Sequence, residues 1–363
     1  MNDDCLKLTT YFGERDRAGD GFLADVLTGV YARHALQTSV LLRGVEGFGL
    51  RQHLRTDRLL TLSEDLPLVS VAVDTRDRIQ AALTEVEQIR SGGLVTLERA
   101  RMLSGEIGTV VLPPELDEAT KLTVYVGRQD RIAGCPAYEA VVELLQRCGV
   151  AGATVLLGVD GTAHGVRQRA RFFARNAEVP LMIIAVGRGE VIARALPELG
   201  ALLTRPLLTL ERVRVCKRDG RRLATPAVVP GRDPSGLGIW QKLMVFTGEQ
   251  SRHEGHPLHH QLIRRLREAG AAGATCLRGV WGYHGDHEPH GDTLWQLRRH
   301  VPILTVIVDT PECIRDWFAI VDELTDETGV VTSEMVPAFR ATAAGHARGG
   351  LELARPTRER KDP

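Results

Sequence analysis

The sequence predicts an α+β protein of three tandem βαββαβ units, and two observations carry that prediction. The first is a threefold repeat: Lys7-Leu8-Thr9-Thr10-Tyr11-Phe12-Gly13 returns as Lys121-Leu122-Thr123-Val124-Tyr125-Val126-Gly127 and as Lys242-Leu243-Met244-Val245-Phe246-Thr247-Gly248. In each copy a glycine (Gly44, Gly158, Gly279) follows the lysine at the same distance (44−7 = 158−121 = 279−242 = 37). A period of about 100 residues is domain-sized, too long for a solenoid repeat. The second observation is the order of hydrophobic periods inside a unit, which alternates between strand and helix.

Each unit opens on an alternating segment, with Leu6, Leu8, Thr10 and Phe12 on one face and Lys7, Thr9 and Tyr11 on the other, the pattern of a half-buried strand. A glycine-rich turn leads to a helical period, clearest as Pro257 followed by Leu258, Leu262 and Leu266, and matched by Pro136, Val141, Val142 and Leu145. A second strand is predicted over 39–43, 153–157 and 274–278, and a third begins at Pro67, Pro180 and Pro302. The second helix starts near Thr75 or Thr310, where Thr310-Pro311-Glu312 supplies an N-cap, a first-turn proline and an acid for the helix dipole. A fourth strand closes each unit at 94–97, 207–210 and 330–332. This order is the ferredoxin-like split unit, with one four-stranded antiparallel sheet and both helices on one face. Tyr11, Tyr125 and Phe246 share a repeat position on the other face, so that face needs a cover. Packing the three sheets around one axis, as an intramolecular pseudo-trimer, supplies it. The expected divisions are repeats at 5–104, 120–217 and 240–340, linkers at 105–119 and 218–239, and a disordered tail at 341–363.

Of the 363 residues, 43% are hydrophobic and 25% charged, enough for real cores, and Lys+Arg balances Asp+Glu at 46 each. A neutral chain makes nucleic acid a poor partner. Cys5, Cys135, Cys148, Cys216, Cys276 and Cys313 occupy different repeat positions with no CxxC, a pattern of reduced thiols. The acidic start Met1-Asn2-Asp3-Asp4 lacks an apolar signal core, and no apolar run can span a bilayer. A cytoplasmic, non-membrane protein is expected.

The candidate chemistry lies after the second strand. The segment from Gly44 to Pro67, and its copies from Gly158 to Pro180 and from Gly279 to Pro302, is far longer than the usual connection of about 4–6 residues. It starts with Arg43, Gly44, Glu46, Gly47, Phe48 and Gly49, then Gln52; the copies carry Gly158 and Gly161, and Arg278, Gly279 and Gly282. Successive glycines let backbone N–H groups converge on an anion. The last strand runs into Arg99/Arg101 and Arg212/Arg214, pairs two residues apart that share a face and suit phosphate or carboxylate; the third unit lacks them.

Lys7-Leu8-Thr9 through Gly13-Glu14 and Asp16-Arg17, Leu42-Arg43-Gly44-Val45-Glu46-Gly47-Phe48-Gly49, Leu62-Ser63-Glu64-Asp65-Leu66-Pro67 and Gly93-Leu94-Val95-Thr96-Leu97-Glu98 resemble the PII-like family of domain of unknown function 190, and the chain reads as three tandem copies. The resemblance implies PII- or CutA-type subunits with a small effector, an adenine nucleotide or other anion, in clefts between neighbours. It also implies long loops that signal to a protein partner such as a transporter or enzyme. On that reading Arg43, Gly44, Glu46, Gly47, Phe48, Gly49, Gln52, Arg99, Arg101, Gly158, Gly161, Arg212, Arg214, Arg278, Gly279 and Gly282 are the effector candidates. Ser91-Gly92-Gly93 has no lysine where the PII phosphate loop usually carries one, which counts against ATP specifically.

Two alternatives remain open. Eight of the twelve histidines lie in the third unit; His256 and His260 stand i, i+4, and His284, His287 and His290 crowd one loop, so a CutA-like divalent-metal protein is one alternative. A ligand-free interaction module is the other. No Ser/His/Asp arrangement, HExxH or P-loop signature recurs, so no enzyme is expected.

Overall fold

A computed structural model of the chain describes residues 2–49, 52–56, 65–89, 92–163, 166–169, 179–284, 290–291, 301–343 and 346–353. Repeat one runs β1 (Asn2–Gly13), α1 (Leu23–Arg33), β2 (Thr38–Phe48), β3 (Pro67–Thr75), α2 (Arg76–Ile89) and β4 (Gly93–Ser104). Repeat two runs β5 (Thr120–Gly127), α3 (Ala137–Arg147), β6 (Gly152–Ala163), β7 (Val166–Arg169), β8 (Pro180–Gly187), α4 (Gly189–Leu202), β9 (Leu207–Arg212) and β10 (Arg214–Arg218). Repeat three runs β11 (Trp240–Gly248), α5 (Leu258–Glu268), β12 (Ala274–Arg278), β13 (Trp281–His284), β14 (Pro302–Asp309), α6 (Pro311–Leu324), β15 (Val330–Val336), β16 (Ala338–Ala343) and β17 (His346–Gly350). The helices form where the apolar period demands: Leu258, Leu262 and Leu266 are buried on one face of α5, and Thr310 Oγ1 caps α6 by accepting from the Cys313 N–H.

The expected three ferredoxin-like domains, each with a sheet of its own and packed as a pseudo-trimer, are corrected by the strand pairing. Among the described residues 20 strands join one sheet, and the described architecture is mostly β. Within it, eight strands of the first two repeats close on themselves in the order β1–β3–β2–β6–β8–β5–β9–β4 and back to β1, every pair antiparallel. The third repeat is hydrogen-bonded onto this barrel through β12 on β2, β13 on β6 and β16 on β4. The physical reason is strand length. β2 spans 11 residues, and β4 and β6 span 12 each. They overrun their partners inside the repeat, and the overhanging backbone groups need partners, which the neighbouring repeat supplies.

The glycines that the sequence marks as loop starts lie on these overhangs. A Cβ at Gly44 would meet the Cys276 carbonyl, at Gly161 the Ser39 carbonyl, and at Gly282 (φ +154°) the Ala153 carbonyl. Glycine is needed there for close backbone approach between repeats. The segment expected as a disordered tail includes the end of β16 and all of β17, which form a hairpin with Trp240 stacked on Phe339 at 3.9 Å between ring centroids.

Four apolar cores result. Three lie between a helix pair and the sheet, one for each repeat. The fourth fills the centre with side chains from all three repeats, including Val71, Tyr125, Met182, Phe246 and Val306. Beside it sits a closed ring of six charges. Lys7 meets Glu98 at 3.1 Å and also Glu211; Lys121 meets Glu211 at 3.2 Å and also Glu334; Lys242 meets Glu98 at 2.5 Å and Glu334 at 3.0 Å. No side chain in the ring is more than 8% exposed. Each lysine lies opposite its own repeat's glutamate in the ladder and reaches a second glutamate from the next repeat. Burial opposes every one of these charges. At Glu98 the ammonium groups of Lys242, Lys7 and Lys121 outweigh it and hold the carboxyl well below the usual carboxylate range. Burial likewise opposes charge at Lys7, where Glu211, Glu98 and Glu334 outweigh it and raise the ammonium, while at Lys121 burial prevails and lowers it.

Candidate functional site

Where repeat three meets repeat one, the sheet leaves a cleft of about 370 Å³. Its inner walls are apolar, with Tyr11, Phe12 and Phe48 from repeat one, Val306 from repeat three and Phe339 from β16. Its mouth is polar. Arg55 Nε contacts Asp65 Oδ2 at 2.9 Å and its Nη2 lies 3.8 Å from Asp16 Oδ1, while Arg17 covers the Phe22 ring at 5.1 Å. Exposed His53 stands on the same rim. Apolar walls with a few convergent polar groups are the usual build of a small-molecule pocket. A wider depression of about 780 Å³ lies between the β16–β17 hairpin and the start of α6. Its arginines are engaged: Arg340 meets Glu87 at 2.5 Å and Arg348 covers Trp240 at 5.2 Å. None of the effector or metal candidates named from the sequence lines it.

The same junction between repeats two and three encloses only about 20 Å³. There Tyr283 occupies the place of Phe48, and its hydroxyl donates to the Val150 carbonyl at 2.8 Å.

The cleft brings together Phe48 and Gly49 from the sequence candidates. Gln52, with φ +56°, sits at its edge and donates from Nε2 to the Ala271 carbonyl at 2.7 Å. The other candidates stand elsewhere. Arg43 meets Glu14 at 3.1 Å and Arg278 meets Glu249 at 2.8 Å. Arg101 meets Glu115 at 2.5 Å, Arg99 and Arg212 are exposed, and Arg214 is half-buried, none of the four lining the cleft. Gly44, Gly47, Gly158, Gly161, Gly279 and Gly282 lie at the backbone crossings between repeats.

Glu46 points away from the cleft, toward α5, where its Oε2 contacts His260 Nδ1 across the seam. His259 lies beside them, its ring centroid 4.1 Å from that of His260. His256 is exposed on the ribbon before the helix and does not join this group. His287 lies outside the described residues, as do the side chains of His284 and His290. The group that sequence reasoning missed is His259 with Glu46, because spacing rules point along a helix and this contact crosses between repeats.

A βαββαβ pattern written three times, a sheet shared between the copies and a cleft at their junction describe a multi-copy, PII-like protein. The chain belongs to the DUF190 family, described as an uncharacterized ACR, whose pattern matches residues 5–102, 119–215 and 240–338. It is similar to a UPF0166 protein of Aquifex aeolicus, 37% identical over 73 residues, which is 20% of this chain and 70% of that protein. It is also similar to a UPF0166 protein of Methanocaldococcus jannaschii, 36% identical over 84 residues, covering 23% of this chain and 76% of that one. Each relative is thus the size of a single repeat. No helix among the described residues is long and apolar enough to cross a membrane.

Proposed function

We propose that the protein is a regulatory, effector-binding member of its family, with the effector in the cleft between repeats three and one. The observation that carries this reading is the cleft's placement at Phe48-Gly49, the base of the long segment that the resemblance assigns to effector sensing. Its aromatic walls suit a planar heterocycle, and Arg17 and His53 at the mouth suit an anionic group, so an adenine nucleotide is the first candidate. Binding against Phe48 and Gly49 would favour one arrangement of the segment that follows, and a protein partner would read it. Calorimetric titration with ATP, ADP, AMP and cyclic AMP is the test. Binding should be weakened at least tenfold by Arg17→Ala and by Leu94→Trp, which narrows the cleft wall. Absence of heat and of any melting shift at millimolar nucleotide would sink the reading, since a ligand at 100 times its Kd adds roughly 2.7 kcal/mol of stability.

A further inference from the structure

We infer that Glu46, His259 and His260 form a divalent-metal site, for zinc or copper, that ties repeat one to repeat three. One donor atom from each lies within 4.8 Å of the other two. Three atoms so placed have a common centre no more than about 2.8 Å from each, against the ~2.0–2.2 Å of zinc–nitrogen and zinc–oxygen bonds. Closing that gap takes side-chain adjustments of about 0.7 Å, without a backbone shift. Two imidazoles with one carboxylate are the donor set of zinc sites that keep a fourth position for water. The space for that water is present: a cavity of about 250 Å³ opens beside His259 and His260. Glu46 and His259 are 6% and 7% exposed, so the ligands are shielded while the cavity gives an entry path. Arg278 borders the same cavity, but its guanidinium is held by Glu249 at 2.8 Å, which offsets its repulsion of a cation.

The equivalent place in the seam between repeats one and two supports the assignment. There Asp25 of α1 and Asp160 of β6, which occupy the repeat positions of His260 and Glu46, converge on the Arg167 guanidinium at 2.7 and 2.5 Å. That seam carries a cation of its own. The seam between three and one presents two imidazoles and a carboxylate around the same place. A second acidic trio, Glu98, Glu211 and Glu334, is also close-set, but three lysine ammonium groups already neutralise it.

The test uses the full chain stripped with chelator, then titrated with Zn²⁺ by calorimetry and with Co²⁺ by visible absorption. One ion per chain is expected, with the intense absorption of four-coordinate cobalt. Affinity should fall at least tenfold in Glu46→Gln and in His259→Ala/His260→Gln. It should persist when His284, His287 and His290 are all replaced by alanine. Thermal melts of the metal-free variants check folding; if the double variant melts early, Glu46→Gln alone decides. The inference is overturned if the intact chain binds no ion, if Glu46→Gln binds as the parent does, or if the triple alanine variant loses the ion.

Discussion

The seam between repeats two and three and the seam between repeats three and one are built from the same elements, yet one is shut and the other open. In the shut seam the Val150 carbonyl is capped by the Tyr283 hydroxyl, reaching from the crossing strand. In the open seam the equivalent carbonyl belongs to Ala271 and is capped from outside the strand by Gln52 Nε2, while Phe48 stands where Tyr283 did. Phenylalanine in place of tyrosine removes a hydroxyl from the facing wall, consistent with about 370 Å³ against about 20 Å³. The polar group stays satisfied in both. Repeated units in one chain can therefore diverge at one seam while the other seams stay closed, because the charge ring and central core bind all three repeats together.

The sharpest way to break that comparison is to break the ring, since both seams depend on it. Lys121→Met leaves Glu211 and Glu334 buried without their shared partner and should destabilise the fold by about 3–5 kcal/mol in denaturant unfolding. Replacing Lys121 and Glu334 together by methionine should cost less than Lys121→Met alone. A single replacement costing under about 1 kcal/mol would show that the ring does not hold the repeats. The ring also sets acid behaviour. The folded Glu98 and Glu334 carboxyls lie below their unfolded values, so their stabilisation is present above about pH 4.3 and is lost as pH falls toward the folded pKa. Lys242→Met should flatten that acid slope.

Backbone crossings distinguish the glycines that join repeats from those that line the cleft. Gly161→Val drives a side chain into the Ser39 carbonyl and should cost about 1–3 kcal/mol. Gly49 has nothing within 4 Å of its would-be Cβ, so Gly49→Ala should change stability by less than about 0.5 kcal/mol. Equal costs at both positions would remove the distinction.

The repeat, the helices and the strand order within a unit were legible because each is a local period. The joining of the sheets was not. Gly44 and Gly158 follow strand-like runs, and glycine there signals a turn unless a distant carbonyl happens to need the space. Lys7, Lys121 and Lys242 were conspicuous as repeat markers, and Glu98 and Glu211 stood next to the arginine pairs, which the third unit, with Glu334, lacks. Alternation placed the lysines on the face of Tyr11, Tyr125 and Phe246, for which a cover was legible; which glutamate of another repeat each lysine would meet was not. Glu46 with His259 and His260 was hidden for the same reason, its partners standing more than 200 residues apart in sequence.

The gentlest test converts the open seam toward the shut one. Phe48→Tyr writes the tyrosine of the second junction into the first. The added hydroxyl enters a cleft of about 370 Å³ rather than a packed core, so the overpacking cost should be small, under about 1 kcal/mol by thermal melt. The new hydroxyl can donate to the Ala271 carbonyl that Gln52 now caps, so the added polar group is matched. The cleft should shrink, and any ligand whose affinity depends on it should bind at least tenfold more weakly. A ligand that binds both proteins equally sits elsewhere on the molecule. A variant that melts several degrees lower instead would mean that this seam was already packed as tightly as its counterpart.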